Sequence, residues 1–145
     1  TITDPKMTRF SITMNEALDF IFNATKIGKG SEVFVPKLRA YNIIDVKNAL
    51  TELLSDTGEK IIGIRMGEKL HETLINEDEM RYGWEFKNMY MIANPLYSLF
   101  SDKNIKKSYQ GIKKIEDIQT YSSDAVEKIP IKDLKTIIKN AGLLN

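Results

Sequence analysis

Ile61-Ile62-Gly63-Ile64-Arg65-Met66-Gly67-Glu68-Lys69-Leu70-His71-Glu72 reads as a short apolar strand that ends on a cation, turns at a glycine and opens a charged helix. Such an edge can bind. Arg65 carries a planar fork of donors matched to phosphate or carboxylate oxygens. Glu68, three residues on, can accept hydrogen bonds from two neighbouring hydroxyls. Gly67 permits close backbone approach or a conformation barred to other residues. The turn therefore suits a diphosphate on one side and a ribose diol on the other. The same residues also describe a salt bridge beside a helix start whose dipole favours an acidic side chain. Chemistry alone leaves both uses open.

Working outward, the segments on the N-terminal side alternate in period. Arg9 to Thr13 alternates apolar and polar residues as a brief strand does. Thr13 and Glu16 then form a capping box, which predicts a helix to about Lys26 with Ala17, Leu18, Ile21 and Phe22 as its packing stripe. Gly28 and Gly30 break that helix, and the Val-Phe-Val run of Glu32 to Pro36 predicts a buried strand. Lys37 to Tyr41 reads as a loop. Ile43, Val46, Leu50, Leu53 and Leu54 recur at helical spacing over Asn42 to Ser55, and Gly58 closes the connection to the strand Lys60 to Ile64. Strand, helix, strand, helix, strand, helix is the order expected of helices covering a mainly parallel sheet.

Beyond the turn the signals thin out. Trp84, the chain's only tryptophan, has two uses open to it, stacking on a base or anchoring a core. Lys87 to Pro95 reads as a strand whose Met89 and Met91 fill a core. Leu96 to Lys114, with scattered Tyr97, Phe100 and Tyr109, reads as a lysine-rich solvated face. Ile115 to Tyr121 is expected as a last strand. Pro130 then precedes a helix with Leu134, Ile137, Ile138 and Ala141 on its stripe, ended by Gly142.

Composition narrows the function classes. The 145 residues make one domain or part of one, and 42% hydrophobic content is enough to bury a core, so disorder is not expected. Twenty-one basic against twenty acidic residues advertise neither a nucleic acid nor a membrane partner. Absence of cysteine excludes disulfides and thiolate metal sites and permits a reducing cytoplasm, the expected location. No second histidine follows His71, so a zinc-protease helix is ruled out and no metal site is expected. Gly28-Lys29-Gly30-Ser31 follows a helix rather than a strand and lacks the spacing of a dinucleotide fingerprint.

Four motifs carry a family resemblance. Arg65-Met66-Gly67-Glu68-Lys69-Leu70-His71-Glu72 is similar to the Arg-Pro-Gly-Glu-Lys-Leu-His-Glu signature of the polysaccharide-biosynthesis branch of extended short-chain dehydrogenases. Thr3 to Phe10 resembles its Thr-Asp-Pro-x-Met-Thr-Arg-Phe, and Glu32 to Lys37 its Glu-Ile-Phe-Val-Pro-Lys strand. Tyr121-Ser122-Ser123-Asp124 resembles the Tyr-x-Ser turn before the family's final helix. The resemblance implies an α/β fold: the C-terminal, substrate-binding part of a Rossmann-type extended short-chain dehydrogenase, residues 1–145, with the NADP-binding half upstream and absent. It implies that Arg9 and Arg65 grip a substrate diphosphate, with Glu68 expected on the ribose and Met66 and Gly67 shaping the turn, Met66 standing where the family has proline.

The family's Tyr-x-x-x-Lys pair is missing at its place. Tyr109 and Lys113 share the spacing but lie beyond the substrate motif, so no catalytic residue is assigned here. The activity implied for the parent enzyme is NADP-dependent, inverting 4,6-dehydration of UDP-N-acetylglucosamine. A UDP-sugar 4-epimerase of the same family and a non-catalytic assembly module are the alternatives. The partners implied are a UDP-sugar, the chain's own N-terminal half and further copies in a homo-oligomer.

Overall fold

The computed structural model describes residues 1–96 and 101–142, which group into two compact units interleaved along the chain. Tyr97 and Phe100 lie outside the described residues. Among the described residues no helix is long and apolar enough to cross a membrane.

The first unit comprises Thr1–Ser11, Leu38–Glu72 and the chain from Ser122 on. Its strands β1 (Thr8–Phe10) and β3 (Ala40–Asn42) pair antiparallel, with Arg9 opposite Tyr41. The loop expected over Lys37 to Tyr41 is thus partly strand, because Ala40 and Tyr41 find a partner in β1. Helix α2 (Ile43–Leu53) starts after Asn42, close to its expected start, and packs on α5 (Ile131–Asn140). Between them Ala49, Ile129, Leu134 and Ile138 are buried, flanked by Val46, Leu50, Leu53 and Ile137. Pro130 sits at the N-cap of α5, where its missing donor costs nothing. Ala141, expected on the stripe, is instead the exposed C-cap, and Gly142 follows at φ 67°.

Two expectations for this unit fail at the quoted stretch. Lys60 to Ile64 is not a strand: only Ile61 forms a bridge, parallel to Ile2, through Ile2 N–H to the Lys60 carbonyl (2.8 Å) and Ile62 N–H to the Ile2 carbonyl (2.9 Å). The ladder stops there because Asp4 and Pro5 turn away on one side, with Met7 N–H closing on the Asp4 carbonyl, while Gly63 leaves extended geometry at φ 79° on the other. The charged helix after Gly67 does not form either. Its peptide groups bond at long range instead, Leu70 accepting from Thr8 N–H (3.1 Å) and Glu72 from Ser123 N–H (2.8 Å), so no helical ladder is available to them.

The second unit comprises Ile12–Lys37 and Thr73–Tyr121. It contains α1 (Met14–Ile27), β2 (Val33–Pro36), β4 (Thr73–Ile75), α3 (Glu77–Met80), β5 (Gly83–Glu85), β6 (Met89–Ile92), α4 (Asp102–Ser108) and β7 (Lys113–Lys114). The short β8 (Tyr121–Ser122) begins at its end, so the strand expected from Ile115 is reduced to its last residue. The sheet runs β2-β6-β5-β7 and is antiparallel throughout. The mainly parallel sheet expected from the alternation is therefore corrected: hairpin-like neighbours satisfy the strands without helical crossovers. Proline is tolerated in β2 because that strand is an edge.

Register explains this unit's core. Phe34, Met91, Trp84 and Lys114 stand opposite one another across the four strands, so their side chains share one face. Trp84 and Met91 are fully buried there with Ala93, Ile105, Tyr109 and Ile112, and the Lys114 ammonium lies 4.9 Å from the Trp84 ring centroid. Trp84 is thus a core anchor and does not stack on a ligand. The solvated face expected over Leu96 to Lys114 is instead amphipathic, since α4 sends Ile105 into this core. β2 is only half buried, with Val33 59% exposed, because an edge strand is covered on fewer sides.

Helix α1 has the expected capping box, Thr13 with Glu16. Of its expected packing stripe only Ala17 is half covered: Leu18, Ile21 and Phe22 are exposed, and Phe20, Ala24 and Ile27 are the other half-covered apolar residues. Both sets satisfy helical spacing, and periodicity cannot choose between them.

Gly83 begins β5 in a tight place. A Cβ there would lie 2.8 Å from the Met80 carbonyl oxygen and 2.9 Å from Ile115 Cδ1. Gly83→Ala is expected to destabilise the protein by about 1–3 kcal/mol through overpacking, read as a lower urea midpoint at unchanged slope. A neutral result would show that the Met80 turn moves aside freely.

Candidate functional site

The site residues expected from the sequence all fall in the first unit. β1 holds Arg9 between two carboxylates, with Nη2 3.7 Å from Glu68 Oε1 and Nε 3.7 Å from Glu72 Oε1. Its Nη1 donates to the carbonyls of Thr8 (2.7 Å) and Leu70 (3.2 Å). Four acceptors surround a side chain only 19% exposed, so its buried charge is compensated within the protein. One cation against two carboxylates leaves this cluster acidic, so a second cation must supply attraction for an anionic ligand.

Arg65 is that second cation. Arg65 to Glu68 is a tight turn: Glu68 N–H donates to the Arg65 carbonyl (3.0 Å) and the Glu68 carboxylate accepts from Arg65 N–H (3.2 Å). Its third residue, Gly67, has φ 81°, a conformation strained for any residue with a Cβ. Met66, at the second position, is fully exposed. The turn presents Arg65 to solvent, and its guanidinium makes no ion pair or hydrogen bond with any of the described residues. The structure thus joins Arg9 to Glu68 by an ion pair and Arg65 to Glu68 by the turn. Glu68 links the two.

Glu72, Thr8 and Ser123 belong to the same constellation but were given no role from the sequence. Glu72 accepts from Phe10 N–H at 3.0 Å and flanks Arg9. Burial, and next the Glu72 carboxylate, raise the Tyr41 phenol above its ordinary value, while Arg9 pulls it back. Nearby, the Ser122 hydroxyl donates to Asp124 at 2.6 Å and holds that carboxyl below its usual range. The available signal was position: Glu72 ends the quoted stretch, and Ser123 lies in the Tyr-x-Ser turn.

No dinucleotide cradle exists among the described residues. Gly28 caps α1 and leads through Gly30 into β2, which is the reverse of a strand-to-helix phosphate turn. Tyr109 is buried with its hydroxyl on Glu32, and Lys113 is exposed on β7.

Residues 1–94 match the model of a family described as polysaccharide biosynthesis protein. The chain is 38% identical over 125 residues to the UDP-N-acetylglucosamine 4,6-dehydratase (inverting) of Campylobacter jejuni, covering 85% of this chain and 36% of that protein. It is 30% identical over 142 residues to the UDP-glucose 4-epimerase of Rickettsia felis, covering 97% of this chain and 40% of that one. Among solved structures, Pen from Bacillus thuringiensis superposes with a TM-score of 0.79 at 29% identity, over 99% of this chain and 40% of its own. The chain thus spans 36–40% of the length of these proteins. An α/β fold matching part of a longer chain is the outcome expected of the substrate-binding part of an extended short-chain dehydrogenase. Three of the four motifs that carried the resemblance, all but Tyr121–Asp124, lie within the matched residues, and the chain belongs to the polysaccharide biosynthesis protein family.

Proposed function

We propose that this chain is the UDP-sugar-binding half of a nucleotide-sugar 4,6-dehydratase, acting on UDP-N-acetylglucosamine with inversion in surface polysaccharide or glycan biosynthesis in the cytoplasm. The supporting observation is the exposed Arg65 guanidinium, without a partner among the described residues, on a turn whose Glu68 carboxylate also meets Arg9. Arg65 receives the diphosphate, and Arg9 joins it by exchanging one carboxylate for a phosphate oxygen. Glu68 retains lone pairs for a ribose hydroxyl beyond those it gives to Arg65 N–H. Gly67 and the exposed Met66 let the ligand approach the turn from solvent.

NADP does not fit the residues described here, so its site and the proton-transfer groups are assigned to polypeptide outside these 145 residues. Tyr109 is no substitute, because burial, and next the hydrogen bond to Glu32, push its phenol up and away from neutral pH. This chain's own contribution is binding and orientation, within a larger, oligomeric enzyme. The likeness to a UDP-glucose 4-epimerase over 97% of the chain favours a second reading, a 4-epimerase with the same nucleotide grip.

Calorimetric titration of UDP into the chain tests the site. Saturable binding is expected, weakened about ten- to a hundredfold by Arg65→Ala, the worth of a charge-assisted hydrogen bond, about 1.5–3 kcal/mol. No heat at millimolar UDP from folded protein would overturn the reading and favour a non-catalytic assembly module.

A further inference from the structure

The geometry points to Ser123 as the positioning residue of the nucleotide-sugar edge, acting through Thr8 and Glu72 from a turn distant in sequence. This inference rests on the proposed nucleotide-sugar reading of that edge.

Ser123 is fully buried and bonded on every side. Its Oγ accepts from Glu72 N–H at 2.8 Å, meets Thr8 Oγ1 at 2.7 Å and lies 3.3 Å from the Thr8 carbonyl, to which it can donate. Its own N–H donates to the Glu72 carbonyl at 2.8 Å. Thr8 Oγ1 in turn meets His71 Nδ1 at 2.8 Å. Ser123 thus ties both peptide groups of Glu72, the N–H through its side chain and the carbonyl through its own N–H, and joins them to the residue preceding Arg9 in one network. Both ties end beside groups of the site: Thr8 is joined to Arg9 along β1, and Glu72 flanks the Arg9 guanidinium.

The segment Ser123 clamps is also held by bonds from β1: Thr8 N–H and Arg9 to the Leu70 carbonyl, and Phe10 N–H to the Glu72 carboxylate. Residues 65–72 form no helix or strand ladder, and the turn at Met66 and Gly67 is solvent-exposed. Without the Ser123 hydroxyl, Glu72 N–H is left unpaired in a partly buried place, and the segment loosens as that group turns to water. Glu68, Arg9 and Arg65 would then lose their common frame, although none of them touches Ser123. Apolar filling of this position would keep the packing and lose the frame.

The test is Ser123→Ala, with Thr8→Val as a second, near-isosteric variant that removes the partner hydroxyl should the first not fold. Amide hydrogen exchange without ligand reads the tie, and UDP titration reads the site. For either folded variant, amides of residues 70–72 are expected to exchange about tenfold faster and UDP affinity to fall about tenfold. Because Ser123 acts through the same edge, little further loss is expected when the variant is combined with Arg65→Ala. A wild-type chain that binds UDP, with exchange unchanged in the variants and losses that simply add to that of Arg65→Ala, would overturn this role alone. A folded wild type that gives no UDP heat would overturn the site itself, and this role with it.

Discussion

Replacing Trp84 with alanine will lower stability by about 3–5 kcal/mol, the largest single-residue effect expected in this protein. The ring sits at the centre of the rung Phe34–Met91–Trp84–Lys114, in a core that also holds Ile105, Tyr109 and Ile112. Removing it opens a cavity among residues supplied by strands and by α4, which cannot all relax into the same space. Lys114 also loses the π-face over which its ammonium lies, leaving Asp102, 3.8 Å away, as its ionic partner among the described residues. Urea unfolding followed by far-UV circular dichroism measures the loss, since the substitution removes the chain's only tryptophan. A change below about 1 kcal/mol would mean that the site collapses without a cavity, contrary to this register.

Leu134→Ala is expected to cost about 2–5 kcal/mol in the other unit. Leu134 is 3% exposed and fills the space between α5 and α2 beside Ala49, Ile129 and Ile138. Ala49 is itself small and fully buried, so α2 approaches α5 closely there and cannot fill the gap from its own side. Slowly exchanging amides of Ile137 and Ile138 should lose protection in proportion to the stability lost. The consequence reaches the site, because the turn carrying Ser123 precedes α5 in the same unit. If α5 amides kept full protection in a folded variant, the helix would be held by contacts other than this apolar seam.

How much was legible follows the range of each interaction. The Thr13–Glu16 capping box, the span of α1, the start of α2 and the start of α5 at Pro130 were all readable, because partners three or four residues apart settle them. The motif residues of the site were readable by resemblance, and Gly67 carries the positive φ that its turn requires. The helix expected after Gly67 was not there, since Leu70 and Glu72 give their carbonyls to Thr8 and Ser123 instead. Lys60 to Ile64 has the composition of a strand, and what stops it, the turn at Asp4 and Pro5, lies far away in the chain.

The sequence by itself determined α1, α2 and α5, the turn at Gly67 and membership of the family, because capping, periodicity and motif are local properties of neighbouring residues. Only the tertiary structure decided the antiparallel sense of the sheet, the burial of Trp84, the partners of Arg9 and the seat of Ser123. Thr8 and Ser123 are 115 positions apart and meet at 2.7 Å, and no local pattern specifies which distant hydroxyl or carboxylate will satisfy a buried polar group. Most such groups find a partner, and the fold alone chooses which one.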